Sequence, residues 1–267
     1  MKSTIFYFSG TGNSLDIARK IGEAIEPQAE LVSIVKQYNN DVIKTDADVV
    51  GFVFPIYMGD APWVVKEFVK RLAFSGGPYI FAVATCNDKP RNCLPIFRAL
   101  IETRSETLAL AEMIPMPGNA KISSPETNAK RLKISAKRCA QVAQKINNRT
   151  KEESATAMHL SKKTVLGSPR KKLNIAFTRF KVSSACNACG ACQRICPMGN
   201  VMLGEGKPLW GEACAACLAC FHWCPQKAIT FRLPFLGNRL RYHHPDVTIK
   251  DIAAQQPSGS AGKGNLI

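Results

Sequence analysis

The sequence predicts an α/β protein in two unequal parts: a doubly wound parallel sheet of five strands with helices on both faces, then a small α+β unit built around metal-ligating cysteines. Three observations carry this expectation. Short apolar runs alternate with helix-period segments through the first 150 residues. Eight of the 11 cysteines fall between Cys186 and Cys224, in two groups of four. Charge is segregated as well: the net +16 divides into −1 over residues 1–119, +13 over 120–182 and +4 over 183–267.

At 267 residues and 46% apolar content, the chain can fill one ordinary core and a smaller second one, and disorder is excluded for most of it. No apolar run approaches the roughly 18 to 20 residues that cross a bilayer, and the amino terminus enters a strand-like segment without signal-peptide architecture. A soluble, cytoplasmic protein without a transmembrane segment is expected. An odd cysteine total crowded into one stretch does not describe paired disulfides, so a reducing compartment and metal ligation are the better reading.

The strands are expected at Thr4 to Phe8, Glu30 to Val35, Val49 to Phe54, Tyr79 to Ala84 and Leu108 to Ile114, several of them apolar at consecutive positions as strands covered on both faces require. Between them, Ser14 to Ile25 places Leu15, Ala18, Ile21 and Ile25 on one stripe, and Trp63 to Leu72 and Leu94 to Ile101 read similarly. Leu132, Ala136, Cys139, Ala143 and Ile146 mark a last amphipathic helix, with lysines and arginines on its other face. The first strand-to-helix turn, Ser9-Gly10-Thr11-Gly12-Asn13-Ser14, gathers hydroxyls, small residues and backbone amides at a helix amino terminus, which makes a phosphate cradle. Leu15 stands where a dinucleotide fingerprint needs its third glycine, and no Gly-Lys-Ser/Thr follows as in a Walker loop.

Residues 151–182 form a basic connector in which Leu173, Ala176, Phe177 and Phe180 fall at helical spacing. Its readings are an interdomain strut with a solvated basic face, a dock for an acidic redox partner, or a membrane or nucleic-acid contact, and no base-reading fold accompanies the last. Residues 183–235 hold the cysteines. Cys186, Cys189, Cys192 and Cys196 follow C-x2-C-x2-C-x3-C with Pro197 behind them, and Cys214, Cys217, Cys220 and Cys224 repeat it with Pro225, 28 residues on. Alanines match across the repeats too (Ala185/Ala213, Ala188/Ala216, Ala191/Ala219). At this spacing one loop holds three irons of a cube and the other repeat supplies the fourth ligand. The expected sets are therefore Cys186, Cys189, Cys192 and Cys224 for one [4Fe-4S] cluster, and Cys214, Cys217, Cys220 and Cys196 for the other. Paired C-x2-C units also bind zinc, but tandem triples each closed by a Cys-Pro suit a cube better.

With eight thiolates closing two cubes, His222, His243 and His244 are expected to pack or hydrogen-bond, and Trp210 and Trp223 to form a small-domain core. Cys86, Cys93 and Cys139 read as ordinary buried thiols. Residues 236–254 are a return segment, and the stretch from Leu233 to Ile252 could fold back onto the first domain. Residues 255–267, rich in Gly and Ser, read as a disordered tail.

The turn at Ser9 to Ser14, Ser/Thr-x-Thr-Gly-x-Ser/Thr, resembles the phosphate loop of flavodoxins, which holds the FMN phosphate with neutral donors. The resemblance implies a flavodoxin-like FMN domain over residues 1–150 and two loops flanking the flavin ring. The first is Pro55 to Asp60, where Tyr57 would stack on the ring, Met58 would stand beside it and Gly59 would let a backbone group approach the reactive nitrogen; a partly buried strand-end aromatic is the plainer reading of Tyr57. The second is Thr85-Cys86-Asn87-Asp88, where flavodoxins commonly show an aromatic and glycines. The cysteine half resembles bacterial-type two-cluster ferredoxins. Both halves together, with Gly206 to Gly211, Phe221-His222-Trp223, Arg241 to Pro245 and Met116-Pro117-Gly118-Asn119, resemble the flavodoxin-fused EFR-type ferredoxins over roughly residues 2–252.

An electron-transfer protein passing electrons between FMN and two [4Fe-4S] clusters is the leading expectation, with a redox protein as donor or acceptor and no catalytic residue of its own. The alternatives are an FMN-dependent reductase of a small substrate that uses the clusters as its supply, and a redox-responsive binding protein that uses the basic connector.

Overall fold

The apolar runs become one parallel sheet in the computed structural model, which describes residues 1–87, 89–152, 160–167, 180–231 and 240–256. Its strands are β1 (Ser3–Tyr7), β2 (Ala29–Ser33), β4 (Val49–Pro55), β6 (Tyr79–Cys86) and β7 (Leu108–Pro115), in the order β2-β1-β4-β6-β7. Counting these five alone, the order is 2-1-3-4-5, the flavodoxin-like doubly wound arrangement. Such a sheet needs apolar side chains on both faces, and α1 (Asn13–Ala24) with α4 (Pro125–Asn147) covers one while α2 (Trp63–Arg71) with α3 (Cys93–Glu102) covers the other. Phe52 stands in the second layer, its ring centroid 5.9 Å from Phe6 and 5.4 Å from Phe97. Because the order reverses between β1 and β4, the loops after those strands open side by side at the carboxyl edge.

Two strands of the first domain escaped the sequence reading: β3 (Ile43–Thr45) and β5 (Leu72–Phe74), a parallel pair separate from the main sheet. Three residues carry no readable period. The strand expected to reach Val35 stops at Ser33, where Ile34–Gln37 tightens into a 3-10 turn. Conversely α4 starts seven residues before its apolar stripe, because Ser124 caps it by accepting from Thr127 N at 3.3 Å and Pro125 presets its first turn.

Of the basic connector, residues 151–152, 160–167 and 180–182 are described, while Leu173, Ala176 and Phe177 lie outside the described residues. The described part packs on the protein itself. Val165, in α5 (Lys162–Leu166), is buried, Thr164 O accepts from Lys66 Nζ at 3.2 Å and Leu166 O accepts from Lys70 Nζ at 2.7 Å. Lys66 is itself fully buried and paired with Asp60 at 2.9 Å.

The small domain joins β8 (Lys181–Val182) to β11 (Ile229–Thr230) and folds a hairpin from β9 (Val201–Gly204) and β10 (Lys207–Trp210). Single helical turns, α6 (Ala191–Arg194) and α7 (Ala219–His222), follow the two cysteine triples. Trp210 stacks on Phe180 within this domain at 4.9 Å. Trp223 departs from expectation: it leaves the small core and packs against the large one, its Nε1 donating to Gly10 O at 3.0 Å. The residue after α8 (Ile249–Ala253) but one corrects a second expectation. Gln255, assigned to a disordered tail on composition, is fully buried because its amide bonds both backbone groups of Ser9. Residues 257–267 lie outside the described residues. No helix among the described residues is long and apolar enough to cross a membrane.

Candidate functional site

The two cysteine repeats share a backbone as well as a spacing. Ala188 and Ala216 both take left-handed conformations (φ 56° and 58°), as do Gly190 and Leu218 (φ 71° and 59°). Each loop thereby curls before its helical turn and carries its thiols to one side. Cys186, Cys189, Cys192 and Cys224 line a single cavity. Cys196 lies instead among the second triple, close enough to Cys214, Cys217 and Cys220 to act on their charge. Asn200 N donates to Cys196 Sγ at 3.3 Å and Ala216 N to Cys214 Sγ at 3.4 Å.

Burial pushes the Cys192 thiol up to about 11 and Cys214 to about 12, and Cys217 and Cys220 further, with mutual repulsion adding to it. Thiols this buried give up their protons only against a concentrated positive charge, which iron in a cube supplies. Donor number, donor type and grouping thus fit two cubes. The surroundings differ. Cys189 is exposed and Cys186 and Cys224 half-buried, whereas Cys217 and Cys220 are buried and Trp63 Nε1 donates to Cys214 O at 3.0 Å. The first group faces outward and the second faces the sheet domain.

What the second group faces is the loop after β1. Ser9, Thr11, Asn13 and Ser14 are all buried. Ser9 N donates to Gln255 Oε1 at 3.0 Å, His244 N donates to Thr11 O at 2.8 Å, and Gly12 N donates to Ser9 Oγ at 3.1 Å. Ser14 Oγ pairs with Thr85 Oγ1 at 2.9 Å, and Asn13 receives the Tyr242 hydroxyl at 2.8 Å while donating to Pro117 O at the same distance. A Cβ on Gly10 would stand 2.6 Å from Cys217 O, and one on Gly12 2.9 Å from Val247 Cβ. The donor chemistry suits a phosphate. The second cysteine loop and residues 240–256 pack against the same loop at Gly10 and Gly12.

A Gly10→Ala chain is accordingly expected to lose roughly 1 to 3 kcal/mol of stability, the usual cost of overpacking. Thermal unfolding against Gly76→Ala, whose added methyl meets nothing within 4 Å, measures the steric part, although φ 80° leaves the control some backbone strain.

The expected ring loops are close by but differently engaged. The Tyr57 ring is buried edge-on to Phe8 at 6.5 Å, and its hydroxyl is held far from ionising, first by burial and then by Cys217. Met58 (φ 54°) is exposed and Gly59 (φ 86°) abuts Arg91. Cys86 is half-buried at the end of β6, Asn87 is tied to Lys121 O at 3.1 Å and by Arg131 at 2.6 Å, and Asp88 lies outside the described residues. His222 joins the halves, Nε2 bonding Asn119 O at 2.7 Å and Nδ1 accepting from Tyr242 N at 3.1 Å; burial lowers it to about 4, so the ring stays neutral. His243 stacks on Trp223 at 4.1 Å. Sequence reasoning gave Gln255, Tyr242 and Trp63 no site role, since each acts across more than 100 residues and no local pattern marks it.

A family model described as a flavodoxin domain matches residues 4–154, and one described as a 4Fe-4S dicluster domain matches residues 185–229. No curated protein matches the chain. Among solved structures, a flavodoxin from the domain Archaea is 13% identical, covering 54% of this chain and 99% of its own at TM-score 0.33. The two-electron reduced Megasphaera elsdenii flavodoxin is 20% identical, covering 51% and 98% at TM-score 0.36. An azoreductase from Bacillus anthracis is 13% identical, covering 54% and 100% at TM-score 0.38.

Proposed function

The chain belongs to the flavodoxin domain family, with a 4Fe-4S dicluster domain behind it, and on that premise we propose an electron-transfer protein that passes electrons between FMN and two [4Fe-4S] clusters. A flavin exchanges one or two electrons and a cube exchanges one, so the pair converts hydride-type chemistry into single-electron traffic. Cys186, Cys189, Cys192 and Cys224 would hold one cube, and Cys214, Cys217, Cys220 and Cys196 the other. Ser9 to Ser14 would hold the FMN phosphate through hydroxyls, amides and the α1 terminus.

One observation carries the reading: the second cysteine loop is seated on the cradle, Cys217 against Gly10, while the first opens outward at Cys189. The buried set then serves as the inner centre and the exposed set as the outer one, where a separate redox protein exchanges electrons. An acidic partner would suit the basic residues of 151–182. Tyr57 and Trp63 would keep water from the inner set, and Trp210 packs against the apolar cluster that holds Cys220, where it would shield a cube from solvent.

The chain reconstituted anaerobically with iron, sulfide and FMN tests this. After rapid reduction of the clusters, flavin absorbance is expected to fall at a rate independent of protein concentration, because a short fusion keeps each centre at effective millimolar concentration for the other. A rate that scales with concentration would make the transfer intermolecular and overturn the proposal.

A further inference from the structure

Arg241 belongs to the return segment, but its half-buried guanidinium reaches into the small domain. There Nη2 donates to Lys227 O at 2.6 Å and to Ile229 O at 2.7 Å. Its Cζ lies 4.1 Å from the centroid of the Phe221 ring. Phe221 is buried in one apolar cluster with Cys192 of the first cysteine set and Cys220 of the second. Two backbone carbonyls and an aromatic face thus fix a positive charge against the core that both sets share. Among the described residues Nη1 is buried without a hydrogen-bond partner, and no carboxylate pairs with the group. A cation withdrawn from water without a counter-charge is costly. The acidic groups that act on this one are Cys224, of the first set, and Cys220, of the second. A cysteine carries its negative charge when it ligates a metal, so the missing counter-charge arrives with the iron.

We propose that Arg241 is the counter-charge shared by the two cluster sites, a fixed cation that raises the reduction potential of both. This rests on the reading that the two cysteine sets each hold a [4Fe-4S] cube. A reduced cube carries one more negative charge than an oxidised one, and a cation held nearby favours the reduced form. A guanidinium suits the task because it stays charged at any working pH and its planar fork can hold two acceptors at once. Since one cation serves both sites, it moves the pair together relative to the flavin and to an outside partner.

The test is a reductive titration of the full, cluster-loaded chain with dithionite and mediators, followed by electron paramagnetic resonance, as wild type, Arg241→Gln and Arg241→Lys. The glutamine removes the charge and keeps an amide donor for the carbonyls. At a fixed applied potential the reduced-to-oxidised ratio of each centre is expected to fall about tenfold in Arg241→Gln, or about 59 mV for one electron. Arg241→Lys should restore most of that ratio. A purely structural arginine would instead cost stability and iron while the loaded fraction kept its potentials, so unchanged potentials with both cubes present would overturn the proposal. A fall confined to one centre, or a fall in Arg241→Lys as large as in Arg241→Gln, would overturn it too. Absence of two cube signals in the wild type would overturn the cluster reading and the shared counter-charge with it. If Arg241→Gln does not load, nitrogen relaxation of the Arg241 side chain in the wild type decides alone: enhancement on reduction of each centre supports the proposal, and none refutes it.

Discussion

Replacing Cys196 with alanine is expected to remove roughly half of the iron and sulfide, and the loss should fall on the centre built by the second motif. Cys196 closes the first motif in sequence, yet its neighbours are Cys214, Cys217 and Cys220. A cube deprived of one thiolate keeps an open iron corner and is labile, so the buried centre should be lost while the one at Cys186, Cys189, Cys192 and Cys224 survives. Iron and sulfide assays with electron paramagnetic resonance of the reduced protein distinguish the two centres. Cys139→Ala is the control, a thiol buried between α1 and α4 that should leave the iron content unchanged. Retention of both signals in Cys196→Ala would dismiss the exchange of ligands between the motifs.

The Asp60→Ala chain should be destabilised by roughly 3 to 5 kcal/mol, because it strands the Lys66 ammonium in a fully buried site. Thr164 O, at 3.2 Å, is one hydrogen-bond acceptor that would remain. The reverse substitution should cost far less. Lys66→Met keeps the volume and leaves Asp60, 20% exposed, to water and to the Ala61 amide it already caps at 2.8 Å. Thermal melts of the two variants check the asymmetry, with a fall on the order of 10 °C for Asp60→Ala. Equal shifts would show that the pair matters for packing more than for charge.

Much of this protein was legible in its sequence, for identifiable reasons. The five strands could be found because burial on both faces forces consecutive apolar residues, and the cysteine repeat because its spacing stands in the sequence itself. Even the matched Ala188 and Ala216 find their meaning in a shared left-handed backbone where small side chains are least strained. Leu218 breaks the pattern, replacing the Gly190 of the first repeat at φ 59°, and its burial in the small core offsets the strain. Of the docking of the halves, the fold-back of the return segment was legible and its individual contacts were not. Trp223 read as small-domain core because an indole between cysteines has no local sign of reaching Gly10, 213 residues away. Gln255 read as tail because composition weighs a residue's neighbours in sequence and not the Ser9 backbone across the fold.

The proposed crossing of ligands between the two cysteine motifs would have a topological consequence. Each cube, once assembled as proposed, would staple one motif to the other, Cys196 reaching forward and Cys224 reaching back, so the stretch between them would be cinched at both ends like a loop closed by two cross-links. A domain of about fifty residues buries too little apolar surface to hold such a shape by itself. Its order would then be a property of the metal as much as of the chain, and iron loss should unravel both motifs in one cooperative event, since neither staple could be drawn without slackening the other.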